Sequence, residues 1–92
     1  MEQQRIVITV VGKDTVGIIA RVCTYLAENN INILDLSQSI LQGFFNMILI
    51  ADMAASDVPF DRVQDELRAL GERMGLDIKA QREEIFEMMH RI

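Results

Sequence analysis

Two segments of the chain are apolar at nearly every position, and two others alternate. Arg5–Val11 (RIVITVV) and Phe44–Asp52 (FFNMILIAD) place apolar side chains on both faces of an extended chain, which is typical of central strands. Asn32–Leu41 and Leu76–Arg82 alternate apolar with polar residues, which is typical of strands that bury one face. The pattern therefore predicts two central strands and two edge strands.

Three further segments carry apolar residues at helical spacing. The first is Ile18–Glu28, which the Asn29-Asn30 pair ends. The second has Pro59 in its first turn and ends at Gly75, and the third is Glu83–Ile92. The pattern predicts two full helices and a short C-terminal one.

The predicted elements follow in the order β-α-β-β-α-β, with the terminal helix last. This order is that of the split β-α-β unit, a four-stranded antiparallel sheet with both helices on one face. Right-handed crossovers place the first and third strands in the centre, which gives the strand order 4-1-3-2. The same two strands are apolar on both faces, so topology and pattern agree. We therefore predict an α+β, ferredoxin-like fold that forms a single domain over residues 1–92.

The sheet face opposite the helices is predicted to leave an apolar patch, which usually marks an interface. If Thr9 and Asn46 set the outward register, its expected members are Val7, Val11, Phe44, Ile48 and Ile50, with Asp35, Ser37, Ser39, Asp77 and Lys79 around them. The terminal helix is expected to pack on an open face, either its own or a partner's. The alternative is that its apolar stripe only completes the core of its own chain.

Composition excludes several classes of function. The chain has 92 residues and a net charge of −5, with only two lysines, which disfavours nucleic acid as a partner. Its one cysteine leaves no intramolecular disulfide, and no apolar run approaches the length of a membrane span. No motif of a catalytic nucleophile or of a phosphate-binding loop is present. We expect a cytoplasmic protein that is not an enzyme and has no metal and no cofactor.

The stretch Val11–Val22 (VGKDTVGIIARV) turns a strand directly into a helix between two glycines. The first N–H groups of a helix have no partner within it, so this corner can receive a carboxylate with help from the helix dipole. Asp14 or Thr15 can cap some of these groups instead. Gly12 and Gly17 are predicted to let a ligand or another subunit approach the backbone. A well-made turn without a ligand explains the same residues.

The corner, the order of elements and the run NNINILDLSQS after the first helix resemble an ACT domain. The chain is most similar to small stand-alone ACT proteins and to the regulatory domain of the transcriptional repressor of the glycine cleavage system. This resemblance implies that two domains pair, often through sheet edges and helices, and that an amino acid binds at the interface. It implies a site formed by the first loop of one copy and the second strand of a neighbour, namely Gly12, Lys13, Asp14, Thr15, Val16, Gly17 and Ile18 with Asn32, Ile33, Leu34 and Asp35.

Within that implied site, Asp14 and Asn32 would hold the amino group and the side chain of the ligand. The backbone at Val16 to Ile18 would meet the carboxylate. The expected function is a non-catalytic regulatory module, a homodimer that senses an amino acid. The alternative is a protein that docks on another protein through the open sheet face or the C-terminal helix, without a small ligand. An acylphosphatase of the same fold is disfavoured, because its first loop would need an arginine where this chain has Lys13.

Overall fold

The six elements of the computed structural model, which describes residues 3–85, follow in the predicted order. Their bounds are β1 Arg5–Lys13, α1 Ile18–Glu28, β2 Asn32–Leu41, β3 Phe44–Asp52, α2 Phe60–Met74 and β4 Leu76–Arg82. Residues 83–85 are helical, and the rest of the predicted terminal helix lies outside the described residues. None of the described helices is long and apolar enough to cross a membrane.

The four strands form one sheet in the order β2-β3-β1-β4, in which every neighbouring pair is antiparallel. This is the predicted ferredoxin-like strand order, 4-1-3-2, written from the opposite edge of the sheet. The central position of β1 and β3 agrees with their sequences, which place apolar residues on both faces.

Both helices pack on one face of the sheet and bury its apolar side chains. Ile8, Leu49, Leu26 and Leu67 are fully buried, one from each of β1, β3, α1 and α2. The contact between α2 and β4 is especially close at Gly71, where a Cβ atom would lie 2.8 Å from the carbonyl oxygen of Leu76. No polar or charged side chain is buried among the described residues, so apolar packing stabilises this layer.

The edge strand β2 differs from the prediction. It was expected to bury one face, but of its ten residues only Leu36 is even half-buried. Its helix-facing side chains stay exposed because α1 makes few contacts with it and no further strand lies on its outer side. A bulge between Ile33 and Asp35 also shifts the register against β3, so Leu34 is an extra residue rather than a member of the predicted alternation.

The open face of the sheet has the predicted register. Thr9 and Ile48 are partners on it, as are Val11 and Asn46. Val11, Ile48 and Phe44 are 45%, 47% and 58% exposed. Val7 was also expected to be exposed, and this was wrong, since it is buried at 3%. The exposed apolar surface is therefore confined to the end of the face nearest the β2–β3 hairpin.

Candidate functional site

The predicted corner is a short exposed loop between β1 and α1. The Asp14 N–H donates a hydrogen bond of 2.8 Å to the Gly43 carbonyl oxygen, which ties the loop to the β2–β3 hairpin. Lys13, Thr15 and Val16 are exposed, and Val16 is 97% exposed. An apolar side chain left almost wholly in water at the tip of a loop is available for contact with another molecule.

The two glycines of the corner are required for different physical reasons. A Cβ atom at Gly12 would lie 2.7 Å from Leu76 Cδ2 and 3.3 Å from the Gly75 carbonyl oxygen, so what approaches Gly12 is β4 of the same chain. Gly17 has a φ of +88° and nothing within 4 Å of a Cβ atom. Glycine is favoured there by the left-handed backbone rather than by a lack of space.

The first turn of α1 carries no cap from a side chain. Neither Asp14 nor Thr15 caps it within the described part of the chain, and the turn holds no acidic residue. The intrahelical bonds begin at the Arg21 N–H, which donates to the Gly17 carbonyl oxygen. The N–H groups of the first three helical residues therefore have neither an intrahelical partner nor a side-chain cap among the described residues, an arrangement that favours an anion.

The second half of the predicted site lies far from the corner in the same chain. Asn32 is paired with Asp52 at the end of β3, whereas Lys13 is paired with Phe44 at its beginning. Eight residues of strand separate these positions, a distance of about 26 Å. One chain thus brings the corner residues together and holds Asn32, Ile33, Leu34 and Asp35 at the opposite end of the sheet.

The two edges of the sheet are unequal. The edge strand β4 has seven residues, three of them charged, and Gln64 of α2 donates a hydrogen bond of 2.8 Å to its Ala80 carbonyl oxygen. The edge strand β2 has ten residues, of which only Asp35 is charged and none is proline. Short, charged and covered edges resist pairing with other strands, whereas long apolar edges invite it. Among residues 3–85, β4 is therefore protected and β2 is left available for pairing.

The sequence patterns did not indicate the features between the helices. The Tyr25 hydroxyl donates a 2.6 Å hydrogen bond to Glu66 Oε1. Burial, and then the carboxylate, raise the pKa of the Tyr25 phenol well above its usual range. The hydrogen bond from Tyr25 lowers the pKa of Glu66. Only the position of Tyr25 next to the buried Leu26 hinted at this contact.

A groove of about 760 Å³, which we call the interhelical groove, lies between α1 and α2. It is lined by Ala20, Arg21, Thr24, Tyr25, Glu28, Glu66, Ala69, Leu70, Glu72 and Arg73. Its volume is within the range of pockets for small molecules. Among the described residues, no group of three His, Cys, Asp or Glu side chains is arranged to hold a metal ion.

Comparison with known proteins gives one consistent family. Residues 4–81 match the model of the ACT domain. A UPF0237 protein of Bifidobacterium longum is 57% identical over 86 residues, which are 94% of this chain and 96% of that protein. The structure of an ACT domain protein from Streptococcus pneumoniae is similar, with a TM-score of 0.81, 35% identity and coverage of 94% and 97% of the two chains. A protein described as a glycine cleavage system transcriptional repressor has a TM-score of 0.75 and 26% identity over 89% of this chain and 47% of its own.

Proposed function

The chain belongs to the ACT domain family, whose members are generally regulatory ligand-binding modules, and we propose that two copies pair and bind an amino acid between them. In this proposal the module is non-catalytic and acts by responding to its ligand. The observation that carries the proposal is the unprotected β2 edge. The residues expected to bind the ligand lie at the two ends of the sheet, where a single chain cannot join them.

Pairing through β2 would extend the sheet and keep the helices of both copies on one side. A two-fold axis perpendicular to the sheet makes the two β2 strands antiparallel, so the pair is closed and self-complementary. The helix side of this seam is also apolar. Ile19 of α1 and Ile33 of β2 are each 36% exposed, and Ile40 is 55% exposed. Burying such side chains against a second copy would add to the backbone hydrogen bonds of the paired strands.

The same pairing supports a composite ligand site. In antiparallel strands the beginning of one β2 lies beside the end of the other. The end of β2 adjoins the hairpin to which the corner is tied through Asp14. Two strand spacings, about 10 Å, separate β1 from the edge of the sheet. The start of β2 in one copy and the corner of the other would therefore face one ligand.

The groups at this seam suit a free amino acid. The uncapped N–H groups at the start of α1 favour a carboxylate, and the exposed carboxylate of Asp14 favours an ammonium group. Asn32 and Asp35 of the partner subunit would add an amide and a second carboxylate. Val16 offers apolar contact to the ligand's side chain. The carboxylate and the ammonium group are the two recognition elements that every amino acid carries.

The pairing is tested with two matched substitutions, Ile40→Lys on the β2 edge and Ile48→Lys on the open face. Both isoleucines are about half exposed, at 55% and 47%, so neither change should unfold the chain. Sedimentation equilibrium should show a dimer for the wild type and for Ile48→Lys, and a monomer for Ile40→Lys. A dimer that survives Ile40→Lys but is lost in Ile48→Lys would contradict pairing through the edge.

The ligand is tested by isothermal titration calorimetry and thermal shift with each of the common amino acids. Binding should raise the midpoint of thermal unfolding. The substitution Asp14→Asn should weaken the affinity for the amino acid by about two- to fivefold, as expected for an exposed ion pair. Asp65→Asn, on the far side of α2, is the matched control and should bind as the wild type does. A dimer that responds to no amino acid at millimolar concentration would refute the ligand proposal.

A second candidate function rests on the open face. Val11, Ile48 and Phe44 are about half exposed there, which is the surface expected if the protein docks on another protein without a small ligand. In that case Ile48→Lys should abolish capture of a partner, while Ile40→Lys should leave capture unchanged.

A further inference from the structure

The interhelical groove is open because the two helices of the outer layer stand apart. The helix α1 returns from the end of β1 to the start of β2, and α2 returns from the end of β3 to the start of β4. Since β1 and β3 are antiparallel, the two helices run in opposite directions. The start of α1 and the end of α2 therefore lie at the same end of the groove, and the Tyr25–Glu66 hydrogen bond crosses it.

Charge is unequally distributed along this groove. Arg21 near the start of α1 and Arg73 near the end of α2 line the same end. Glu28 lines the other end, on the side towards Glu66. Glu72 is the one acidic residue at the arginine end.

The charges at the ends are mostly unpaired. Neither arginine has an ion-pair partner within residues 3–85, and Glu28 has none there either. Glu66 accepts hydrogen bonds from Tyr25 and from Arg62, and the bond from Tyr25 lowers its pKa, so it stays ionised. Within residues 3–85 the groove thus presents two unpaired arginines at one end, with Glu72 beside them. At the other end it presents the unpaired Glu28 and Glu66, which is ion-paired with Arg62.

We propose that the interhelical groove binds a short unblocked peptide of about three residues. The peptide's carboxylate would meet Arg21 and Arg73, and its ammonium group would meet Glu28 and Glu66. This site is separate from the seam of the proposed dimer, since its residues face away from β2.

The length of the ligand follows from the spacing of the charges. Arg21 and Glu28 are seven residues apart on one helix, which is about 10 Å along its axis. An extended peptide of three residues spans about 10 Å, whereas a single amino acid holds its two charges too close together to reach both ends. A dianion or a dication would place one charge against groups of its own sign.

The floor and volume of the groove suit a peptide with small side chains. Ala20 and Ala69 take little space on the facing walls, and Leu70 provides an apolar surface. Thr24 offers a hydroxyl to the peptide backbone. The volume of about 760 Å³ is larger than such a peptide needs, so the charges rather than a close fit would set its orientation.

The probe is the tripeptide Ala-Ala-Ala, added to isotope-labelled wild-type protein and followed by NMR. The expected result is saturable shifts of amide signals at residues 20–28 and 66–73. N-acetylation or C-amidation of the peptide, and Arg21→Gln, Arg73→Gln or Glu28→Gln in the protein, should each weaken binding about two- to fivefold. Arg68→Gln, on α2 outside the groove, should leave binding unchanged.

Three results would overturn the proposal. The first is no shift at these residues at millimolar peptide, and the second is binding that is indifferent to both blocking groups. The third is a shift of the α2 signals at residues 66–73 with protein concentration alone, which would mean that a second copy fills the groove. Alanine alone should not perturb these residues. Shifts at residues 12–18 and 32–35 report the proposed seam site, so either site can fail without the other.

Discussion

The substitution Gly12→Ala tests why a glycine stands at the end of β1. Gly12 is paired with Phe45 on one side and with Leu76 on the other. The new methyl group would lie 2.7 Å from Leu76 Cδ2 and 3.3 Å from both the Leu76 Cα and the Gly75 carbonyl oxygen. Leu76 is itself buried at 7% exposure, so its side chain has little room to turn away.

The expected cost combines two opposing effects. Overpacking of a buried contact typically costs about 1–3 kcal/mol, while replacing glycine by alanine within a strand returns about 0.5–1 kcal/mol of backbone entropy. We therefore expect Gly12→Ala to lower the free energy of unfolding by about 1–2 kcal/mol. For a domain of this size the midpoint of thermal unfolding should fall by about 5–15 °C.

The assay is a double-mutant cycle measured by urea unfolding. Leu76→Val shortens the side chain and removes the clashing methyl group, and in that background Gly12→Ala should cost clearly less, with a coupling of about 1 kcal/mol. Gly17→Ala is the control, since its cost of about 1–2 kcal/mol comes from left-handed backbone and should be the same in both backgrounds. If Gly12→Ala leaves stability unchanged, or costs as much in the Leu76→Val background as in the wild type, the steric explanation fails.

Two other predictions concern the helices. Tyr25→Phe removes the bond to Glu66 and should lower the thermal midpoint by a few degrees. The pKa of Tyr25 is raised and that of Glu66 is lowered, so the hydrogen bond needs a protonated phenol and an ionised carboxylate. The wild type should therefore be more stable than Tyr25→Phe from about pH 5 to pH 9, and this difference in stability should shrink below and above that window. Urea unfolding across pH measures this, and an advantage that persists unchanged at either extreme would contradict it. Tyr25 is the only tyrosine, so its absorbance should titrate above the usual midpoint. Gln64→Ala leaves the Ala80 carbonyl oxygen without its side-chain donor and should cost about 0.5–1.5 kcal/mol; no loss in urea unfolding would show that water replaces the bond.

The fold could be predicted from the sequence because hydrophobic pattern and connectivity give the same answer. Arg5–Val11 and Phe44–Asp52 need cover on both faces, and right-handed crossovers place these two strands in the centre. The register of the open face followed from Thr9 and Asn46, the polar residues within those strands. Such local signals are strong because a slip of one residue would turn every side chain to the other face.

The errors arise where the exposure, register or packing of a residue depends on distant parts of the chain. The exposure of β2 depends on how closely α1 packs against it, which the residues of β2 themselves do not indicate. The bulge at Leu34 depends on the pairing of Ile33 and Asp35 with β3. The close contact of Gly12 with Leu76 joins residues that are far apart in the sequence. The sequence pattern therefore did not indicate it, and Gly12 was interpreted only as a position that a ligand or another subunit could approach.

The candidate site was only partly predictable for a related reason. The open N-terminus of α1 follows from the local sequence, as does the exposed loop at Val16. That the corner and Asn32 lie at opposite ends of the sheet is a property of the whole topology. The interhelical groove depends on the distance between two helices. Helical periodicity describes each helix separately, so it does not predict the groove.

The distance between the two α1 helices tests most directly whether copies pair through β2. Thr24 is exposed on α1, so a spin label can be attached to Thr24→Cys in a Cys23→Ala background and measured by electron paramagnetic resonance. Pairing through β2 keeps both helices in one layer, with their axes about 10–20 Å apart. Because Thr24 lines the interhelical groove, on the side of α1 away from the seam, the labels extend outwards and their predicted separation is about 20–30 Å. Two copies stacked on their open faces would hold the two helix layers about 30 Å apart and the labels about 35 Å apart or more, and that distance, or the absence of any dipolar coupling, would contradict the account.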